Sequence, residues 1–310
     1  MPGLKMRPYG GEDDYWRIRA FLRRTFLKNG RRDVSWQVAR LDYWRWHVIE
    51  NCGTCPPLEE VTWLWEDARG EIAAVLCPES IGEAHLQIDP DFLSPGLQEE
   101  MIRFAEEHLA KDDGHGGKTL NTMAAVGDQV LQGLLGRLGY SRDGCMGWDR
   151  YRELDDNIPL VEPGEGYIVR SLGGEEELPA RSWASWRAFH PDEPDEGYEG
   201  WEWYRNIQRM PLYRRDLDIV GTTPDGLLVA FCTVWYDDVT RTGYFEPVGR
   251  MPEHDVRGLM RGVLSTGLRR LRSLGADLAM VGGTSFGANV LYASLFGLEA
   301  ERYDRWSRTL

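Results

Sequence analysis

One segment of this chain is written twice, and the duplication limits the fold more than any other feature. Arg7-Pro8-Tyr9-Gly10-Gly11-Glu12 returns as Arg170-Ser171-Leu172-Gly173-Gly174-Glu175. Later segments repeat in the same order. Residues 61–90 hold two apolar runs around the turn Asp67-Ala68-Arg69-Gly70, then the strand-like AHLQI. Residues 217–252 give LDIV, the turn Thr223-Pro224-Asp225-Gly226, LLVAFCTVW and YFEPVG. Each half then has a helical stretch and a short apolar run: 97–110 and 120–126 in one, 259–274 and 278–281 in the other. A repeat that occurs once at about domain length means two copies of one domain, not a solenoid. Each copy, at roughly 150 residues, can bury a full core.

Apolar periodicity assigns the elements. Tyr15, Ile18, Phe21, Leu22 and Phe26 fall at three- and four-residue steps, so they share one helix face. A second, aromatic helix is expected at Trp36–Ile49 and its counterpart at Gly200–Ile207. Arg69-Gly70 and Asp225-Gly226 predict antiparallel hairpins. Leu259, Val263, Leu264, Leu268, Leu271 and Leu274 stripe a long helix with Gly275 at its C-terminal cap. Ser94 and Pro95 start the matching helix of the first copy, with Leu97, Met101, Ala105 and Leu109 inward. A buried strand, a last helix and a final strand complete each half. The pattern predicts two tandem α+β domains on mixed α/β sheets, residues 1–155 and 166–310. Residues 156–165, rich in Pro, Gly and acid, are the expected linker.

Thirty-six basic against fifty acidic residues give a net charge of −14. Such a surface repels a phosphate backbone, which argues against nucleic acid as a partner, and attracts a small cation. No apolar run approaches the roughly 20 residues of a membrane span, and the start MPGLKMRPYGG lacks the apolar stretch of a secretory signal. A cytoplasmic protein, monomer or homodimer, is expected. Five cysteines fit reduced thiols. Cys52-Gly53-Thr54-Cys55 with His47 lacks the second pair that structural zinc requires, so no metal is expected.

Residues 243–306, YFEPVGRMPEHDVRGLMRGVLSTGLRRLRSLGA and then GTSFGANVLYASLFGLEAE, resemble the GNAT superfamily of N-acyltransferases. In that family a strand runs into a loop Gln/Arg-x-x-Gly-x-Gly/Ala that opens a helix and wraps the pyrophosphate of acetyl-CoA. The window here is Asp255-Val256-Arg257-Gly258-Leu259-Met260. The family pattern Asn-x-x-Ala-x-x-Leu-Tyr falls on Ser285, Ala288, Leu291 and Tyr292. The doubled layout is most similar to two-domain acyltransferases of the mycothiol synthase type. The resemblance implies tandem GNAT-like domains, acetyl-CoA as co-substrate, and transfer of acetyl to a primary amine by the second copy. It places coenzyme contacts at Val248, Gly249, Arg250, Val256, Arg257, Gly258, Leu259, Met260, Arg261, Ser285 and Ala288. A helix start with Arg257 and Arg261 beside it suits an anion on physical grounds alone. Three positions depart from the pattern: Asp255, Met260 and Ser285. A carboxylate 6–8 Å from a pyrophosphate costs roughly 1–3 kcal/mol. The first copy has Asp89-Pro90-Asp91-Phe92-Leu93-Ser94-Pro95-Gly96 at this place, without a basic residue. It is expected to be non-catalytic.

An alkylammonium of pKa about 10.4 must lose a proton to attack a thioester, and the departing thiolate gains from one. Glu246, between Phe245 and Pro247, is the candidate base, and Tyr292 is the candidate acid by resemblance. The Val248 N–H could polarise the thioester carbonyl. Both side chains also fit plain roles, an outward strand residue and a core aromatic. His190–Trp203 carries Asp192 and Glu193 among six acids, with Trp201 and Trp203, and suits a small cationic amine through ion pairing and cation–π contact. It fits a solvated acidic loop equally well. Two alternatives remain: a non-catalytic coenzyme- or ligand-binding protein on a degenerate scaffold, and aminoacyl transfer from tRNA, which the acidic surface disfavours.

Overall fold

The computed structural model describes residues 3–310. The chain forms two compact units, residues 1–147 with 301–310, and residues 148–300. In the first unit β1 (Lys5–Pro8) leads into α1 (Glu12–Lys28), followed by α2 (Val38–Tyr43), α3 (Leu58–Val61), β2 (Trp63–Glu66), β3 (Ile72–Cys77), β4 (Glu83–Ile88), α4 (Pro95–His108), β5 (Lys111–Asp112), β6 (Lys118–Ala125), α5 (Gln129–Arg137) and β7 (Ser141–Glu153). The second unit repeats the plan with β8 (Ile168–Ser171), α6 (Leu178–Phe189), α7 (Tyr204–Gln208), β9 (Asp218–Thr222), β10 (Leu228–Asp237), β11 (Thr242–Arg250), α8 (Leu259–Ser273), β12 (Leu278–Gly283) and α9 (Phe286–Phe296), and the chain ends in β13 (Glu301–Thr309).

The duplicated opening motif has a physical reason. In one copy Arg7 grips Asp14 through Nη1 at 2.6 Å, and the Gly10 N–H donates to the same carboxylate at 2.8 Å. In the other, Arg170 grips Glu177 at 2.7 Å and the Gly173 N–H donates to it at 2.6 Å. Each clasp ties the first strand to the start of the first helix, where a carboxylate also meets the positive end of the dipole. Inside, Tyr15, Ile18, Phe21, Leu22 and Phe26 are all buried, as their spacing predicts. Gly70 and Gly226 take positive φ at the expected hairpin turns, and β2–β3 and β9–β10 pair antiparallel. The aromatic helix is shorter than its spacing suggests. After Tyr43 it widens into a π-helical stretch, Trp44–Ile49, and its counterpart begins only at Tyr204.

Two features depart from a chain cut at its middle. The last strand, β13, belongs to the first unit and runs antiparallel to β6 from Tyr303↔Ala125 to Thr309↔Thr119. In the second unit that place beside β12 is taken by the end of β7, from Trp148↔Gly283 to Glu153↔Leu278. The copies exchange final strands. Duplicated domains offer equivalent sheet edges, so either final strand fits either edge. The expected linker, moreover, lies within the second unit and straps α8. Arg269 donates to the Ile158 carbonyl at 3.2 Å and the Ser265 hydroxyl to that of Pro159, while a Cβ on Gly262 would lie 3.2 Å from Pro163.

Candidate active site

β11 and β12 run parallel only from Thr242↔Leu278 to Tyr244↔Met280. Beyond that β11 stays with β10 as far as Arg250, and β12 keeps only β7, its partner from Leu278 to Gly283. A wedge opens between them. On its β11 side the register with β10 slips between Cys232 and Val234, so Glu246 and Pro247 form a bulge joined by a cis peptide bond. Bulges re-aim side chains. The buried Trp235 holds this one by donating its indole N–H to the Glu246 carbonyl.

Tyr292, on α9, is 6% exposed. Burial pushes its pKa well above the ordinary value, and the charges of Cys232 and Glu246 push the same way. The phenol therefore stays protonated at neutral pH, and Glu246 lies within electrostatic reach of it.

The loop expected to hold the coenzyme follows β11. Gly258 caps α8 with φ +96°, a left-handed conformation that favours glycine. A Cβ there would stand 2.7 Å from the Glu162 carbonyl, so its close approach is to the strap of this chain. Arg257 and Arg261 reach solvent beside it, and the first-turn N–H groups of Met260 and Arg261 point off the helix end. With Glu162, Glu165 and Tyr167 they line a cavity of about 670 Å³. Asp255 is ion-paired to Arg250 at 2.9 Å, which offsets the anionic repulsion expected of it. Arg250 also donates to the carbonyls of Met251 and Pro252 at 3.3 and 3.2 Å, so it braces the loop.

Several sequence candidates have structural work at this site. Leu259 is fully buried, and its N–H donates to the Val256 carbonyl at 3.2 Å. Val256 packs on Gly164 of the strap. Gly249 sits where a Cβ would come within 2.5 Å of Phe231, and Val248 pairs with Cys232. Ser285 caps α9 by accepting the Ala288 N–H at 3.2 Å. Asn289 was not singled out by motif; its amide donates to the Gly283 and Ser285 carbonyls at 3.1 and 2.9 Å, while its Oδ1 is buried without a partner. In the acidic segment Asp192 and Glu193 are exposed. Trp201 carries the Arg205 guanidinium 4.6 Å from its ring centroid, and Trp203 packs edge-on to Tyr204. One face of Trp201 is thus already covered by a cation of the chain.

The first unit's counterpart of the coenzyme loop is filled. Lys28 grips Asp89 at 2.8 Å and Asp91 at 2.5 Å, Arg24 reaches Asp89 at 3.4 Å, and the Ser94 hydroxyl accepts the Leu97 N–H at the start of α4. Together these supply the charge and the cap that an incoming anion would meet. The five cysteines are free thiols, and Cys52 Sγ lies 3.7 Å from His47 Nε2.

No family model and no curated protein sequence matches the chain. Solved structures do. A GCN5-related N-acetyltransferase from Sphaerobacter thermophilus aligns at TM-score 0.66 and 18% identity over 99% of this chain and 95% of its own. A tandem GNAT protein from the clavulanic acid biosynthesis pathway aligns at 0.64 and 14%, over 99% and 98%. Saccharomyces cerevisiae N-myristoyltransferase with bound myristoyl-CoA aligns at 0.56 and 11%, over 99% and 79%. The fold is that of the GNAT N-acyltransferases. It is present twice, in the tandem form. No helix among the described residues is long and apolar enough to cross a membrane.

Proposed function

We propose that the second unit transfers an acetyl group from acetyl-CoA to the primary amine of a small cationic molecule. The observation that supports this reading is the wedge between β11 and β12, together with the buried Tyr292 phenol on which the Glu246 charge acts. An uncharged amine nitrogen attacks the thioester carbonyl carbon, and its surplus proton passes to Glu246. The carbon–sulfur bond breaks, and the thiolate takes the Tyr292 proton. Arg257, Arg261 and the open N–H groups of α8 bind the coenzyme diphosphate. Asp192 and Glu193 draw in the cation from solvent, and the first unit is a support without turnover. No nucleic acid, metal or membrane takes part, and the protein works in the cytoplasm.

Calorimetric titration with acetyl-CoA and thiol release against an amine panel test this. Tyr292→Phe should lower kcat by about 100-fold, within the usual range for general acid–base catalysis, with acetyl-CoA affinity unchanged. Glu246→Gln should do the same and flatten the acidic limb of the pH profile. No heat and no thiol release would end the proposal. A second function, binding of a coenzyme or another ligand without turnover, draws on the departures from the family pattern at Asp255, Met260 and Ser285. It requires binding with no thiol release from any amine.

A further inference from the structure

Away from this site, in the first unit, Glu79, Glu83 and His85 place one ligand atom each within 4.8 Å of one another. Glu79 stands in the turn after β3. Glu83 and His85 are two residues apart on β4, so they project from the same face of the strand. His85 is 8% exposed, with its ring 5.2 Å from that of Trp36, and its Nε2 has no hydrogen-bond partner among the described residues. That nitrogen points between two carboxylates, 3.6 Å from Glu83 Oε2 and 3.9 Å from Glu79 Oε2. These separations are beyond hydrogen bonds. They are close to the roughly 3.3–3.6 Å between ligands that share one tetrahedral ion at 2.0–2.2 Å. A buried imidazole nitrogen without a partner is rare and calls for one.

We propose that Glu79, Glu83 and His85 bind a divalent first-row transition-metal ion, with solvent filling the remaining positions. One imidazole nitrogen and two carboxylate oxygens suit Zn²⁺ or Mn²⁺ more than Ca²⁺ or Mg²⁺, which favour oxygen alone. Arg40 donates from Nε to Glu79 Oε1 at 3.2 Å and from Nη2 to Oε2. A carboxylate has lone pairs for both a donor and a metal, and this contact fixes its orientation. Arg40 also lies 3.7 Å from Asp33.

Zn²⁺ titration of the chelator-stripped full chain by calorimetry tests this, with the visible spectrum of the Co²⁺ form as a second readout. The expected result is one ion per chain, a rise in Tm on binding, and a cobalt spectrum showing nitrogen and oxygen ligands without a thiolate charge-transfer band. His85→Gln and Glu83→Gln should each weaken binding by about 100-fold or more, while Cys52→Ser leaves it unchanged. Circular dichroism of both glutamine variants without metal establishes that they fold, and either one alone suffices as the test. No stoichiometric binding would overturn the proposal, as would binding that survives both variants or that is lost in Cys52→Ser.

Discussion

At the scale of the residue, buried charges are where single substitutions weigh most. Arg181 and Asp218 are both fully buried, 3.1 Å apart, and Asp218 also accepts the hydroxyls of Tyr204 at 2.5 Å and Tyr213 at 3.0 Å. Asp218→Ala leaves a buried guanidinium uncompensated and should cost about 3–5 kcal/mol of unfolding free energy in urea titration. A loss below 1 kcal/mol would show that water reaches the pair. His47 gives a pH-dependent case. Burial lowers its pKa from 6.5 to about 4, so between those values the unfolded chain binds a proton that the folded chain does not. Stability therefore falls as pH drops from about 6.5 to about 4. His47→Gln should make the unfolding free energy less steep over that window, and an identical slope refutes the assignment. The sequence showed Arg7 and Arg170 as repeated letters, and the clasps with Asp14 and Glu177 explain the repeat. It could not show the His85 cluster, because Glu79 meets it only through the hairpin turn.

At the scale of the element, α8 and the loop before it were legible, since Gly258, the apolar stripe and Gly275 are local signals. The strap was not. Composition marks residues 156–165 as a linker, yet Ile158 is buried and the carbonyls of Ile158 and Pro159 are bonded by α8. Those contacts join residues over a hundred positions apart, beyond any local pattern. The same limit applies to Asp255, which reads as a repulsive charge until Arg250 is seen beside it. Asp255→Asn should therefore tighten acetyl-CoA by no more than about twofold. With the diphosphate bound at α8 as proposed, Arg257→Ala and Arg261→Ala should each weaken it by roughly tenfold, with a shallower salt dependence, since both cations are exposed. Calorimetry at two ionic strengths decides this. Undiminished affinity in the double variant would move the diphosphate elsewhere.

At the scale of the whole molecule, the duplication was visible but the exchange of final strands was not. Copies of one domain have near-identical edge requirements, so periodicity is blind to which strand fills which edge. The exchange gives each terminal segment a separate task. Residues 301–310 complete the first unit, where Asp304 is 1% exposed and receives Arg302 at 3.0 Å and Arg142 at 2.5 Å. The strand beside β12 comes instead from 148–153. A chain ending at Ala300 should then lose amide-exchange protection along Leu120–Ala125, whose ladder partners have gone, while Leu278–Gly283 stays protected. Removing the β13 ladder also opens β6 as a free edge, which favours association between chains. Hydrogen exchange read by mass spectrometry separates the two strands within one sample. Protection lost equally from both would mean that the second unit depends on residues 301–310 as much as the first does.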